Sequence, residues 1–123
     1  MQKIGIIGNG FVGNSIAFGF SPTHEIRIHD KDIKRNLNTI EEVLECNYIF
    51  VAVPTPMKAD GSISLHVVEK ALQEISDKNK KRNNIVILKS TMVPGTTNHF
   101  IRQFPKLNIV FNPEFLRDNI PIY

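Results

Sequence analysis

Cysteine is nearly absent: Cys46 stands alone in 123 residues, so no disulfide can form within the chain, and no Cys/His spacing of the kind that holds a metal ion occurs. No stretch approaches the run of about 20 apolar residues that a membrane-crossing helix needs. The chain enters a strand-like segment after three residues, which leaves no room for a signal peptide. These absences predict a reducing compartment, the cytoplasm, with neither a membrane partner nor a bound metal. Repeats, low-complexity tracts and interdomain linkers are missing as well. Charge of one sign is scarce: the formal net charge is +3, and the basic excess gathers in Lys78-Asn79-Lys80-Lys81-Arg82. No aromatic residue interleaves with that run, so it reads as a solvated turn after a helix, not as a nucleic-acid surface. With 41% hydrophobic and 22% charged residues, the length suffices for a single domain, 1–123, with a modest core.

What is present alternates. Lys3 to Gly8 is short and rich in isoleucine, and from Phe11 to Phe20 the residues Val12, Ile16 and Phe20 recur at four-residue spacing: strand, tight turn, helix. Ser21-Pro22 ends that helix, and "EIRIHD" alternates Ile26 and Ile28 with polar residues as a second strand that stops at Asp30. Thr39-Ile40-Glu41-Glu42 is a capping box, in which hydroxyl and carboxylate satisfy each other's free backbone amides and start a short helix through Leu44. "YIFVAV", 48–53, lacks alternation and predicts a strand buried on both faces, closed by Pro54 and Pro56. Asp60-Gly61 reads as a turn, and Ser64 is placed to cap a helix whose Val68, Ala71, Leu72 and Ile75 form an apolar stripe. "IVIL" at 85–88, a helix from about Thr96 to Phe104 and "NIVF" complete the series. Connections too long for hairpins predict an α/β fold, a Rossmann-type doubly wound, mainly parallel sheet with helices on both faces.

Three glycines, Gly8, Gly10 and Gly13, sit between the first strand and the first helix. In that context the spacing has a mechanism. The first permits the tight turn, the second lets a pyrophosphate approach the backbone, and the third lets helix and strand pack closely. Phe11 and Val12 open the helix, whose N-terminus offers free amides and partial positive charge to phosphates. Asp30, about 20 residues on at the end of the next strand, can accept hydrogen bonds from ribose hydroxyls and would repel a 2′-phosphate, which favours NAD over NADP. Lys31, Lys34 and Arg35 follow closely, soften that repulsion and place Arg35 among the cofactor-binding candidates.

Three further stretches narrow the reading: "VAVPTP" at 51–56, "KSTMVPGT" at 89–96 and "NPEFLRD" at 112–118. With the glycine turn they resemble, in order, the N-terminal half of the UDP-glucose/GDP-mannose dehydrogenase family, over essentially the whole chain. Members of that family oxidise the C6 hydroxyl of a nucleotide sugar to a carboxylate in two hydride transfers to NAD, through a thioester on a cysteine. The resemblance implies that Pro54 and Thr55 lie along the cofactor, the alternative being a plain strand-terminating turn. It implies that the Thr91 hydroxyl contacts the nicotinamide side and helps hold a reacting water; capping the following helix is the competing explanation. Glu114 matches a glutamate placed to take a proton from that water, and otherwise is a surface carboxylate. Phe115 and Leu116 then fix the substrate loop, while Arg117 and Asp118 reach towards substrate and cofactor. Asp118 replaces the glutamate of many members and is one methylene shorter. Lys89 matches a basic position of the family or is a strand-end charge.

Two departures stand out. The family's nucleophilic cysteine belongs to a glycine-rich motif of the later, sugar-nucleotide-binding half, and its dimer-building helix lies beyond this stretch too. Cys46, ahead of a buried strand, matches neither and reads as a small core side chain. The stretch between Asp30 and Tyr48 is also short for the family: one helix and an edge strand are reduced to a remnant near Asn36-Leu37-Asn38, which places the 48–53 strand beside the first strand, away from the second. The adenine pocket is then less covered. The resulting expectation is the NAD-binding domain of a nucleotide-sugar dehydrogenase, acting on UDP-glucose in the full enzyme, able to bind NAD without turning over alone. The alternative is a stand-alone module that pairs with a partner subunit or senses the NAD/NADH ratio. A reductase of small hydroxy acids leaves Asn112 to Arg117 unexplained.

Overall fold

The computed structural model describes residues 2–81, 83–90 and 95–112, with Phe11 described in its backbone. Five parallel strands, β1 (Lys3–Ile7), β2 (Glu25–His29), β3 (Tyr48–Val51), β4 (Ile85–Leu88) and β5 (Asn108–Phe111), form one sheet in the order β2-β1-β3-β4-β5. Helices α1 (Phe11–Phe20), α2 (Ile40–Leu44), α3 (His66–Lys78) and α4 (Thr96–Gln103) fill the crossovers. The order changes direction between β1 and β3, because the chain runs outward from β1 to β2 and then returns to the other side of β1. Loops at the carboxyl ends diverge there and leave a crevice.

The two faces carry different loads. On one, Ile4, Ile6 and Ile28 pack against Ile16 and Ala17 of α1. On the other, Ile7, Ile49, Val51, Val86 and Leu88 meet Val43 of α2, Val68, Leu72 and Ile75 of α3 and Phe100 of α4. The apolar stripe read along α3 is buried as expected. The capping box at Thr39 is formed in both directions: Glu42 N donates to Thr39 Oγ1 at 3.1 Å, and Thr39 N donates to Glu42 Oε1 at 2.9 Å.

Three local expectations are corrected. The third strand ends at Val51, not residue 53: Ala52 N still donates to Ile7 O at 2.9 Å, and beyond that the chain peels away into the proline-bracketed loop. It is not buried on both faces either. β3 and β4 alternate buried with half-buried residues, because α1 covers Tyr48 and Phe50 in part while Ile85 and Ile87 fall outside both core clusters. Ser64 does not cap α3, whose N-cap is Leu65 without a side-chain bond. Instead Ser64 N donates to Pro56 O at 2.7 Å and, with the Met57–Ile63 bridge, closes a loop that sets the helix start one residue later.

The shortened segment after β2 is a turn that finishes the sheet edge with side chains. Asn38 pairs with the Ile28 backbone in both directions, its Oδ1 accepting from Ile28 N at 2.8 Å and its N donating to Ile28 O at 2.7 Å. One asparagine thereby occupies the hydrogen-bonding positions that a neighbouring strand would take.

Candidate functional site

Where β1 ends, Gly8 turns the chain with φ +104°, a conformation side chains disfavour, and a Cβ there would stand 2.5 Å from the Ala52 carbonyl oxygen. A Cβ on Gly13 would run into the Gly8 carbonyl, so only glycine lets α1 begin directly against the end of β1. Gly10 is different. It is the N-cap of α1 in extended conformation, no side chain caps it, and a Cβ placed on it meets nothing within 4 Å. The first helical bond is Asn14 N to Gly10 O at 2.9 Å, so the amides of Phe11, Val12 and Gly13 have no intrahelical acceptor. With no acidic residue in the first turn to neutralise it, this helix end keeps its partial positive charge. Open space above Gly10 and uncommitted donors beside it fit a diphosphate.

Asp30 stands next to this loop and is already at work in it. Its Oδ2 accepts from Asn9 N at 2.7 Å and its Oδ1 from Asp32 N at 2.8 Å. Asn36 Oδ1 accepts from Asp30 N at 3.0 Å, and Asn9 Nδ2 donates to Arg35 O at 2.8 Å. The glycine turn and the turn after β2 are thus tied into one unit. An ionised carboxylate has about four acceptor positions, so two bonds leave room for the hydroxyls of a ribose.

A crevice of about 500 Å³ opens between these turns and α3. Gly8, Gly10, Val12, Asp30, Arg35 and Pro54, all cofactor-binding candidates of the sequence, line it. Gly13 lies beneath as packing, and Thr55 follows Pro54 outside the lining. Thr91, Glu114, Phe115, Leu116, Arg117 and Asp118 lie outside the described residues. The helix after Thr91 takes Gly95 as its N-cap, with φ +91°. Next to Thr91, the buried Ser90 donates from Oγ to Val53 O at 2.7 Å, clipping the end of β4 to the loop that walls the crevice.

Lys31, read beside Asp30, is in the lining too, whereas sequence reading did not single out as lining residues His29, Asp32, Ala52 and Val53, nor Val67, Ala71 and Glu74 on the flank of α3. The α3 residues recur at helical spacing beside the buried stripe, which marks a flank but not what faces it. His29 is the polar residue directly before Asp30, a signal passed over because a strand end admits polar residues.

Cys46 is buried at the end of α2, and burial raises its thiol to about 11 against the partial counter-effect of Arg27. Such a thiol stays protonated at neutral pH and serves as packing, not as a nucleophile.

A sequence model described as the NAD binding domain of the UDP-glucose/GDP-mannose dehydrogenase family matches residues 28–123. The UDP-glucose 6-dehydrogenase of Campylobacter jejuni is 29% identical, over 99% of this chain and 39% of that protein. The UDP-glucose 6-dehydrogenase YwqF of Bacillus subtilis is 33% identical, over 85% of this chain and 27% of its own length. Among solved structures, a UDP-D-ManNAc dehydrogenase from Pyrococcus horikoshii superposes with a TM-score of 0.82 at 18% identity, covering 94% of this chain and 37% of that one, a likeness of fold. The chain spans no more than 39% of the length of these relatives.

Proposed function

Because the chain belongs to the UDP-glucose/GDP-mannose dehydrogenase family and matches its NAD binding domain, we propose that it is the cofactor-holding part of a nucleotide-sugar 6-dehydrogenase, with UDP-glucose as the sugar nucleotide of the whole enzyme. The observation that carries this reading is the open space at Gly10 beside the uncommitted amides of α1, with Asp30 next to them. Amides of Phe11, Val12 and Gly13 hold the diphosphate, and Asp30 accepts from the adjacent ribose. Asp30 and Asp32 together disfavour a 2′-phosphate, against which Lys31 and Arg35 weigh on the same rim. Pro54 and the Val53 wall keep the opposite side of the crevice in place. NAD, when bound, supplies the hydride acceptor; the protein supplies position and field. Thr91 holds a water and Glu114 takes its proton, as their matching motifs imply, once the sugar-binding half and its cysteine complete the site. Alone, the 123-residue chain binds NAD and does not oxidise UDP-glucose.

Calorimetric titration with NAD tests this. Binding heat is expected for the wild type and is lost in Gly10→Val, whose side chain enters the diphosphate space and whose Cβ meets nothing within 4 Å. Asp30→Ala is the less clean variant, since it also frees Asn9. A wild-type chain that gives no heat with NAD would defeat the proposal.

A further inference from the structure

His29 ends β2 on the crevice floor, and its ring is held from behind: Nδ1 lies 2.9 Å from the Asn38 carbonyl oxygen. A carbonyl oxygen only accepts, so Nδ1 carries the proton, and in the neutral ring the lone pair sits on Nε2. Among the described residues no hydrogen-bond partner engages Nε2. The turn that orients the ring is the shortened segment of this chain, with Asn38 fixed in turn on Ile28.

We propose that His29 reads the base of the dinucleotide by accepting a hydrogen bond from the exocyclic amino group of adenine. The inference rests on NAD occupying this crevice. His29 lines the same crevice as Gly10 and Asp30, and as the last residue of β2 it directly precedes Asp30, the residue that accepts from the ribose. Ile7, Val67 and Ala71 give the crevice apolar walls of the kind a flat ring needs. Asp32 Oδ1 accepts from Lys34 N at 3.0 Å and its Oδ2 faces Arg35 at 3.8 Å, while Glu74 accepts from Lys78 at 3.3 Å. An acceptor fixed at the end of an apolar slot selects an amino group and rejects a carbonyl oxygen, because the mismatch buries two acceptors face to face.

The experiment compares NAD with nicotinamide hypoxanthine dinucleotide, in which a carbonyl oxygen replaces the amino group of the base and the adjacent ring nitrogen N1 carries a hydrogen. Both are titrated by calorimetry, under one set of buffer conditions, against wild type, His29→Leu and His29→Gln. The wild type should favour NAD by about tenfold. In His29→Leu the preference disappears, and in His29→Gln, whose amide both donates and accepts, the two ligands bind within about twofold of each other. A wild-type preference near one overturns the inference without any variant, and so does a preference that survives both substitutions. A wild type that binds neither ligand fails earlier, at the NAD reading itself, and removes the base from the crevice with it.

Discussion

At the amino ends of β4 and β5, the buried Asn84 donates to Leu44 O at 3.2 Å, exchanges amide bonds with Asn79 at 3.0 and 3.2 Å, and offers its own carbonyl to Asn108 Nδ2 at 3.3 Å. At the carboxyl ends of β1 and β3, by contrast, the first amides of α1 have no intrahelical acceptor, and the crevice opens over them. No described buried side-chain polar atom lacks a partner. The same sheet is thus closed at one end by side-chain amides and left open at the other by glycines. An end with every group matched has only stability to give, whereas an end with donors in reserve can bind.

The sharpest break of this comparison lies inside the open end, between a glycine that packs and one that does not. Gly13→Ala drives a methyl into the Gly8 carbonyl and should cost about 3 kcal/mol in urea denaturation. Gly10→Ala, whose methyl meets nothing, should cost no more than about 1 kcal/mol, the preference of an N-cap for glycine over alanine. Equal midpoints for the two variants would show that the turn relaxes freely. Next in size, Asn84→Ala leaves the Leu44 carbonyl and the Asn79 amide unpaired at the closed end, a loss of about 2 kcal/mol by the same measurement. Its NAD affinity should match the wild type, and a weakened affinity would mean that the two ends are coupled.

Smallest is the capping box between them. Thr39→Ala should lower stability by about 1 kcal/mol at neutral pH. The Thr39 amide and hydroxyl hold the Glu42 carboxyl below its ordinary value. A depressed carboxylate stabilises the fold above the unfolded-state value and loses that effect as pH falls through the lower folded value. The gap in melting temperature between wild type and Thr39→Ala should therefore narrow in acid, at pH values below about 4.

Much of this architecture could be read along the chain. The three glycines, the threonine-glutamate box and the Val68–Ile75 stripe are each visible in a short run of residues, and each appears in the fold at its expected place. Ser64 departs from its capping pattern because its backbone is claimed by Pro56 across a loop, a competitor that the pattern does not contain. The residues between Asp30 and Tyr48 show a missing element in sequence. They do not show that Asn38 takes over the edge of β2 and, in doing so, aims His29.

Periodicity, turn chemistry and capping follow from torsions and hydrogen bonds between neighbours, so the run of residues already specifies where strands and helices lie and where a phosphate can approach bare backbone. The walls of the crevice are another matter. Val67, Ala71 and Glu74 meet Asp30 across some forty positions, and the Ser90 hydroxyl finds Val53 from the next strand, because the sheet order brings them together. An alanine or valine on a helix flank carries the same side chain whether it faces water, core or ligand. Packing between distant segments assigns that difference, and no local pattern holds it.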